Sequence, residues 1–200
     1  MNLLGKNNKI KSVLFGGTFD PIHNGHIKII EKINHQFKPE IIYVVPSGNP
    51  YMKKEQPVAT PLQRFKMCHL VFKNYMNIKL IDYEILRKSP SYTFDTLNYL
   101  FSNTKYKEVD TLILGEDSYL ELDKWKNGKT LKRNYNFITV KRSSSSVEIR
   151  ATKNVFALDR VSDLSSSEIR KKINLNKSIN NDTPIEIANY IEDNKLYKNG

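Results

Sequence analysis

Three glycines, a threonine and two histidines stand together in Gly16-Gly17-Thr18-Phe19-Asp20-Pro21-Ile22-His23-Asn24-Gly25-His26. The stretch follows a branched apolar run at residues 12–15 and precedes Ile27 and Ile30, so it reads as a strand, a tight turn and the start of a helix. Glycines let a backbone approach a ligand that a side chain would block, and they reach unusual dihedral angles at little steric cost. N–H groups at the following helix N-terminus, with the positive end of its dipole, favour a bound phosphate. His23 and His26, three positions apart across the helix start, can point the same way and donate hydrogen bonds to phosphate oxygens. No third ligand at a convincing spacing accompanies them, so no metal held by protein side chains is expected.

A second candidate site lies in Leu164-Ser165-Ser166-Ser167-Glu168-Ile169-Arg170. Ser165 followed three residues later by Glu168 is a capping box, which predicts a helix beginning here with exposed N–H groups. Ser166, Ser167 and Arg170 can gather around a phosphate at that end, because Arg170 lies nearly one turn beyond Ser167.

Positioning two such sites requires a scaffold, and the apolar patterning supplies one. Short branched runs at residues 12–15, 41–45, 78–81, 111–114 and 137–140 predict buried strands. Helical spacing separates them: Ile27, Ile30 and Ile33 form one face, Phe65, His69 and Phe72 another, and Phe94, Leu97 and Leu100 a third. Two further helices are expected, one near Ser165 and one after Pro184 with Ile187, Tyr190 and Ile191 on a face. Alternation of this kind predicts an α/β fold, a Rossmann-like doubly wound parallel sheet with helices on both faces and a C-terminal helical segment over residues 164–200. Ligands of such sheets bind in the crevice at the carboxyl ends of the strands.

With 200 residues, 39% of them hydrophobic, the chain can bury one substantial core, so a single domain over residues 1–200 is expected, with a flexible start at 1–9. No stretch reaches the ~18–20 apolar residues of a membrane span, and a soluble, cytoplasmic protein with no membrane partner is expected. The lone Cys68 sits at helical apolar spacing and reads as a core residue. A serine tract at residues 143–146 predicts a loop. The net charge of +11 is spread along the chain rather than collected in a tail, which leaves a small-anion enzyme and an RNA-binding module both open.

The motifs resemble a known family. GGTFDPIHNGH resembles the N-terminal signature of the nucleotidylyltransferase superfamily, whose HxGH element is similar to that of class I aminoacyl-tRNA synthetases. LSSSEIR is similar to the superfamily's ISSTxIR, with Leu164 for isoleucine and Ser167 for threonine. Several central segments resemble bacterial nicotinate mononucleotide adenylyltransferases: Gly48-Asn49-Pro50-Tyr51-Met52-Lys53 their GNPPHK, and Glu84, Arg87 and Ser91-Tyr92-Thr93-Phe94-Asp95-Thr96-Leu97 their ExxR and SYTxDTL. Gly115-Glu116-Asp117-Ser118 resembles their GAD-S and Leu122-Asp123-Lys124-Trp125 their LPKW. Met52, Glu116 and Asp123 depart from the pattern, standing where histidine, alanine and proline are usual.

The resemblance implies transfer of the adenylyl group of ATP to nicotinate mononucleotide, giving deamido-NAD and pyrophosphate, with nicotinamide mononucleotide and phosphopantetheine as alternative acceptors. It implies His23, His26 and Arg170 as catalytic residues. ATP would be bound by these with Gly16, Gly17, Thr18, Phe19, Lys53, Gly115, Asp117, Ser165, Ser166 and Ser167. Thr93, Glu121 and Trp125 would take nicotinate mononucleotide, Trp125 stacking on the pyridine ring. Magnesium is expected on the ATP phosphates, held mainly by substrate oxygens and water. No nucleic-acid partner is expected, and either a monomer or a homo-oligomer is compatible with the sequence.

Overall fold

The computed structural model describes residues 10–52, 55–141, 149, 151–159 and 161–198. The expected flexible start at 1–9, Lys53 and the serine tract at 143–146 lie outside them. Six strands form one parallel sheet: β1 (Ser12–Gly17), β2 (Ile41–Pro46), β3 (Ile78–Leu80), β4 (Thr111–Gly115), β5 (Asn136–Val140) and β6 (Val155–Leu158), in the order β3-β2-β1-β4-β5-β6. This is a Rossmann-like fold. The chain winds outward from β1 through β2 to β3, then returns to lay β4 on the other side of β1, which places a topological switch point between β1 and β4.

Both faces of the sheet are covered, because its strands are apolar at successive positions and each strand sends alternate residues to opposite sides. Val13, Phe15, Ile42, Val44, Ile113 and Ile138 enter one core. There they meet α1 (Asn24–Phe37), α2 (Pro61–Phe72), α6 (Ser166–Asn174) and α7 (Ile185–Asp193). Leu14, Tyr43, Val45, Leu112 and Phe137 enter the other, against α3 (Thr93–Phe101), α5 (Gly128–Asn134) and the neighbouring short α4 (Glu116–Leu120) and 3₁₀ turn Leu122–Lys124.

β6, α4 and α5, four, five and seven residues long, were not among the elements expected from the sequence; the two helices are too short to display a period. The sequence reading also misassigned the inner face of α2. That face is Arg64, Met67, Cys68, Val71 and Phe72, whereas His69 is exposed. A charged residue seldom goes inside unless its hydrogen bonds are met there, and at Arg64 they are. Cys68 is fully buried beside it, and burial pushes its thiol pKa up, which keeps it an unreactive core residue. Among the described residues no helix is long and apolar enough to cross a membrane.

Candidate active site

The turn after β1 is built by Phe19 rather than by its glycines. Among the described residues no glycine has positive φ, while Phe19 sits at φ 51° in the left-handed region. Its ring folds back over the strand end, so a Cβ on Gly17 would lie 2.8 Å from that ring, and only glycine leaves it room. A Cβ on Gly16 would meet nothing closer than 3.7 Å and leaves the strand end open. Phe19 then packs edge-on against His26, with ring centroids 5.0 Å apart.

The two histidines cap α1 reciprocally. His23 is the N-cap, and its Nδ1 accepts from the Gly25 N–H at 3.1 Å, while His26 Nδ1 accepts from the His23 N–H at 3.3 Å. An imidazole nitrogen that accepts carries no hydrogen, so each neutral ring bears its proton on Nε2, at the far side from the backbone. The rings lie 3.8 Å apart, His23 almost wholly buried. A Cβ on Gly25 would fall 2.9 Å from the His23 ring, which accounts for the glycine between the histidines.

At α6 the expected cap is present with a different partner. Ser165 Oγ accepts from the Glu168 N–H at 3.2 Å, but the Glu168 carboxylate takes the Ser165 hydroxyl, at 2.9 Å, rather than the backbone N–H. The next two side chains reach the first loop. Ser166 Oγ donates to Pro21 O at 2.9 Å, and Arg170 Nη1 donates to Asp20 O at 2.7 Å while its Nη2 donates to Ser167 Oγ at 3.3 Å. The two phosphate motifs, about 145 to 150 positions apart, are one structure.

A pocket opens beside them at the switch point, lined by Gly16, Gly17 and Thr18 of the first loop, Leu112 and Leu114 of β4, and Thr93 and Trp125. Its wall at the end of β2 is held by buried polar groups. Arg64, with no exposed surface, donates to Thr18 O at 2.8 Å, Ser47 O at 2.5 Å, Gly48 O at 3.1 Å and Ala59 O at 3.1 Å, fastening the loops after β1 and β2 to each other. On the other side Ser91 Oγ accepts from the Gly48 and Asn49 N–H groups. Glu84 backs Ser91 and accepts from Thr96 Oγ1 at 2.6 Å; burial raises its carboxyl pKa, with those hydroxyls opposing the rise. A Cβ on Gly48 would lie 1.9 Å from Glu84 O, so this loop also requires glycine. Lys126 pairs with Asp95 of α3 at 2.8 Å and braces the segment carrying half-buried Trp125.

Residues 14–172 match the model of the cytidylyltransferase-like family. The chain is 37% identical to a probable nicotinate-nucleotide adenylyltransferase of Clostridium acetobutylicum, over 94% of this chain and 98% of the relative. The chain belongs to the nicotinate-nucleotide adenylyltransferase family. A relative of the same description from Hydrogenobaculum is 35% identical, with 92% of this chain and 96% of the relative covered. The fold is that of the Plasmodium falciparum nicotinic acid mononucleotide adenylyltransferase solved with NaAD (TM-score 0.73, 22% identity, 94% of this chain and 97% of that one). The protein is thus a nucleotidyltransferase.

Against that family frame, the structure brings Gly16, Gly17, Thr18, Phe19, His23, His26, Ser166, Ser167 and Arg170 to one end of the sheet, with Thr93 and Trp125 in the adjoining pocket. Gly115 ends β4 and Asp117 lies in the first turn of α4, at the same carboxyl edge. Glu121 caps the C-terminal end of α4, where its N–H donates to Asp117 O at 3.2 Å and its exposed carboxylate pairs with Lys124 at 2.9 Å. Met52, at the family's histidine position, lines the pocket. Glu116, at the alanine position, is 3% exposed, with no partner for Oε2 among the described residues. Arg64, Asp20 and Tyr197 had no expected role in the site, and Glu84 stood there only as part of a family motif. Arg64 had a local signal, a charge interrupting an apolar helix face.

Proposed function

We propose that the protein, acting as a single cytoplasmic domain with residues 164–200 as its C-terminal helical segment, joins ATP and nicotinate mononucleotide to give deamido-NAD and pyrophosphate by positioning and charge neutralisation. The observation that carries this reading is the union of the two phosphate motifs beside the Trp125 pocket, which sets a site for a triphosphate against one for a flat ring. A phosphate monoester, with a second pKa near ~6, is already an adequate nucleophile at neutral pH, so attack on the α-phosphorus requires no protein base. His26 donates from Nε2 to the α-phosphate as charge grows there. His23, Lys53 and Arg170 steady the β and γ oxygens, with Ser165, Ser166 and Ser167 around them. Gly115 and Asp117 face the nucleoside. The donor set of imidazoles, hydroxyls and a guanidinium suits an anion, and among the described residues no three carboxylate, histidine or cysteine groups gather to hold a cation. Magnesium would accordingly ride on the triphosphate with water in its remaining positions and supply charge neutralisation.

Nicotinate is the preferred acceptor. The carboxylate is taken by N–H groups near Thr93 and Glu121, and at the start of α3 the helix dipole also favours an anion. Losing charge-assisted bonds in a largely dry pocket costs on the order of 2–4 kcal/mol, so kcat/KM for nicotinate over nicotinamide mononucleotide is expected to differ by about thirtyfold to a thousandfold. Trp125→Ala should weaken both and preserve the ratio, since stacking sees the same ring in each. Pyrophosphate release with each mononucleotide measures it, and equal efficiencies would defeat nicotinate specificity.

Arg170→Lys keeps the charge but cannot span Asp20 O and Ser167 Oγ as the planar guanidinium does. Activity should fall at least about tenfold with a raised KM for ATP, a loss of ~1.4 kcal/mol or more in transition-state stabilisation. Unchanged steady-state kinetics in both Arg170→Lys and Arg170→Ala would reduce α6 to a structural helix.

A further inference from the structure

Beyond α7 the chain turns inward through two left-handed residues, Lys195 at φ 51° and Tyr197 at φ 62°. Neither is glycine, so the turn is strained and needs compensating contacts. Tyr197 is 5% exposed and its ring belongs to the same core as Phe19 and Ile169. A phenylalanine would fill that space equally well, and the hydroxyl therefore calls for a separate account. It donates to Asp20 Oδ1 at 2.8 Å across 177 positions of sequence.

Asp20 is itself 3% exposed and crowded with donors. Oδ1 also accepts from the Ala59 N–H at 3.0 Å, and Oδ2 accepts from the Val58 N–H at 2.8 Å. Arg170 approaches the same residue in two ways: Nη1 donates to the main-chain oxygen at 2.7 Å, yet stands 3.6 Å from Oδ2, beyond hydrogen-bond length. The three donors that already hold the carboxylate leave it in a long ion pair with the guanidinium, short of a hydrogen bond.

We propose that Tyr197 is a positioning residue for adenylyl transfer: its hydroxyl fixes the Asp20 carboxylate, which keeps Arg170 seated on the Asp20 main chain with its charge directed at the ATP phosphates. The inference rests on the role given above to Arg170. Without the hydroxyl, Oδ1 keeps one donor and the carboxylate turns toward Arg170, shortening the 3.6 Å ion pair to hydrogen-bond length and drawing charge away from the phosphate site. Burial, then the nearby Asp20 charge, pushes the Tyr197 pKa up, so the hydroxyl remains a donor throughout the neutral range.

Steady-state kinetics of Tyr197→Phe, with Arg170→Ala and the double variant, test this. Tyr197→Phe is expected to lower kcat about tenfold and raise KM for ATP, a fraction of the hundredfold that an ångström of misplacement can cost, while KM for nicotinate mononucleotide stays within twofold. In the Arg170→Ala background the same change should add less than about twofold, because the hydroxyl acts through that arginine. Wild-type kinetics for Tyr197→Phe beside an impaired Arg170→Ala would overturn the proposal, as would an equal loss in both backgrounds. Wild-type kinetics for Arg170→Ala would instead remove the phosphate role of Arg170. Should Tyr197→Phe not fold, Asp20→Asn replaces it with the opposite expectation: no carboxylate charge is left to compete for Arg170, so KM for ATP should stay within about twofold, and a rise of about tenfold would overturn the proposal.

Discussion

Arg64→Met is expected to lose about 3–5 kcal/mol of folding stability. Methionine matches the apolar length of arginine and fits among Met67, Cys68 and Phe72, so the loss comes from polar groups and not from a cavity. Four backbone carbonyls, at Thr18, Ser47, Gly48 and Ala59, give up their buried donors together. Each unsatisfied buried acceptor costs about 1–3 kcal/mol, reduced where water enters. Asp20, which helps hold the guanidinium charged against its burial, also loses a cation. Against a typical total of about 5–15 kcal/mol, this is close to unfolding. Urea denaturation measures it, and a variant within 1 kcal/mol of the parent by linear extrapolation would show that the carbonyls find other donors. The folded remnant should also bind nicotinate mononucleotide poorly, because Arg64 joins two walls of its pocket.

His26→Ala is expected to lower kcat by two to three powers of ten, as removal of one preformed donor to a transition-state oxygen costs about 2.7–4 kcal/mol. Alanine also removes the acceptor for the His23 N–H, and a lost cap costs about 1 kcal/mol of stability. The two effects separate chemically. His26→Asn keeps an acceptor near the Nδ1 position without reaching the Nε2 position, so stability should return while turnover stays low. His23→Ala should cost less turnover, its partner being a leaving-group oxygen. Turnover of His26→Ala within threefold of wild type, in a folded protein, would take His26 out of the reaction.

Both expectations depend on positions that differ in how they could be read. The phosphate loop was legible because its information is local: an apolar strand, a turn and two capping histidines span fifteen residues, and each constrains its neighbours. The same holds for Ser165, whose cap closes within one helical turn. Strand and helix alternation was legible where branched apolar runs or a helical period marked an element, and it failed at β6 and at the short helices α4 and α5. The role expected for Glu121 came from resemblance alone, with no local signal in its own sequence context.

By itself, then, the sequence determined the alternation of the first five strands with the longer helices, the helix starts at the two motifs and the family to which those motifs point, since backbone propensity, capping and periodicity act over a few residues. Only the tertiary structure decided that the two phosphate motifs are joined through Asp20, Pro21, Ser166 and Arg170, and that Tyr197 bears on them from 177 positions away. It also turned Arg64, by type a surface residue, into the buried tie between two loops. The physical reason is that a buried charge is stable only where several acceptors converge, and those carbonyls converge only after the loops of β1 and β2 have been brought side by side by the sheet.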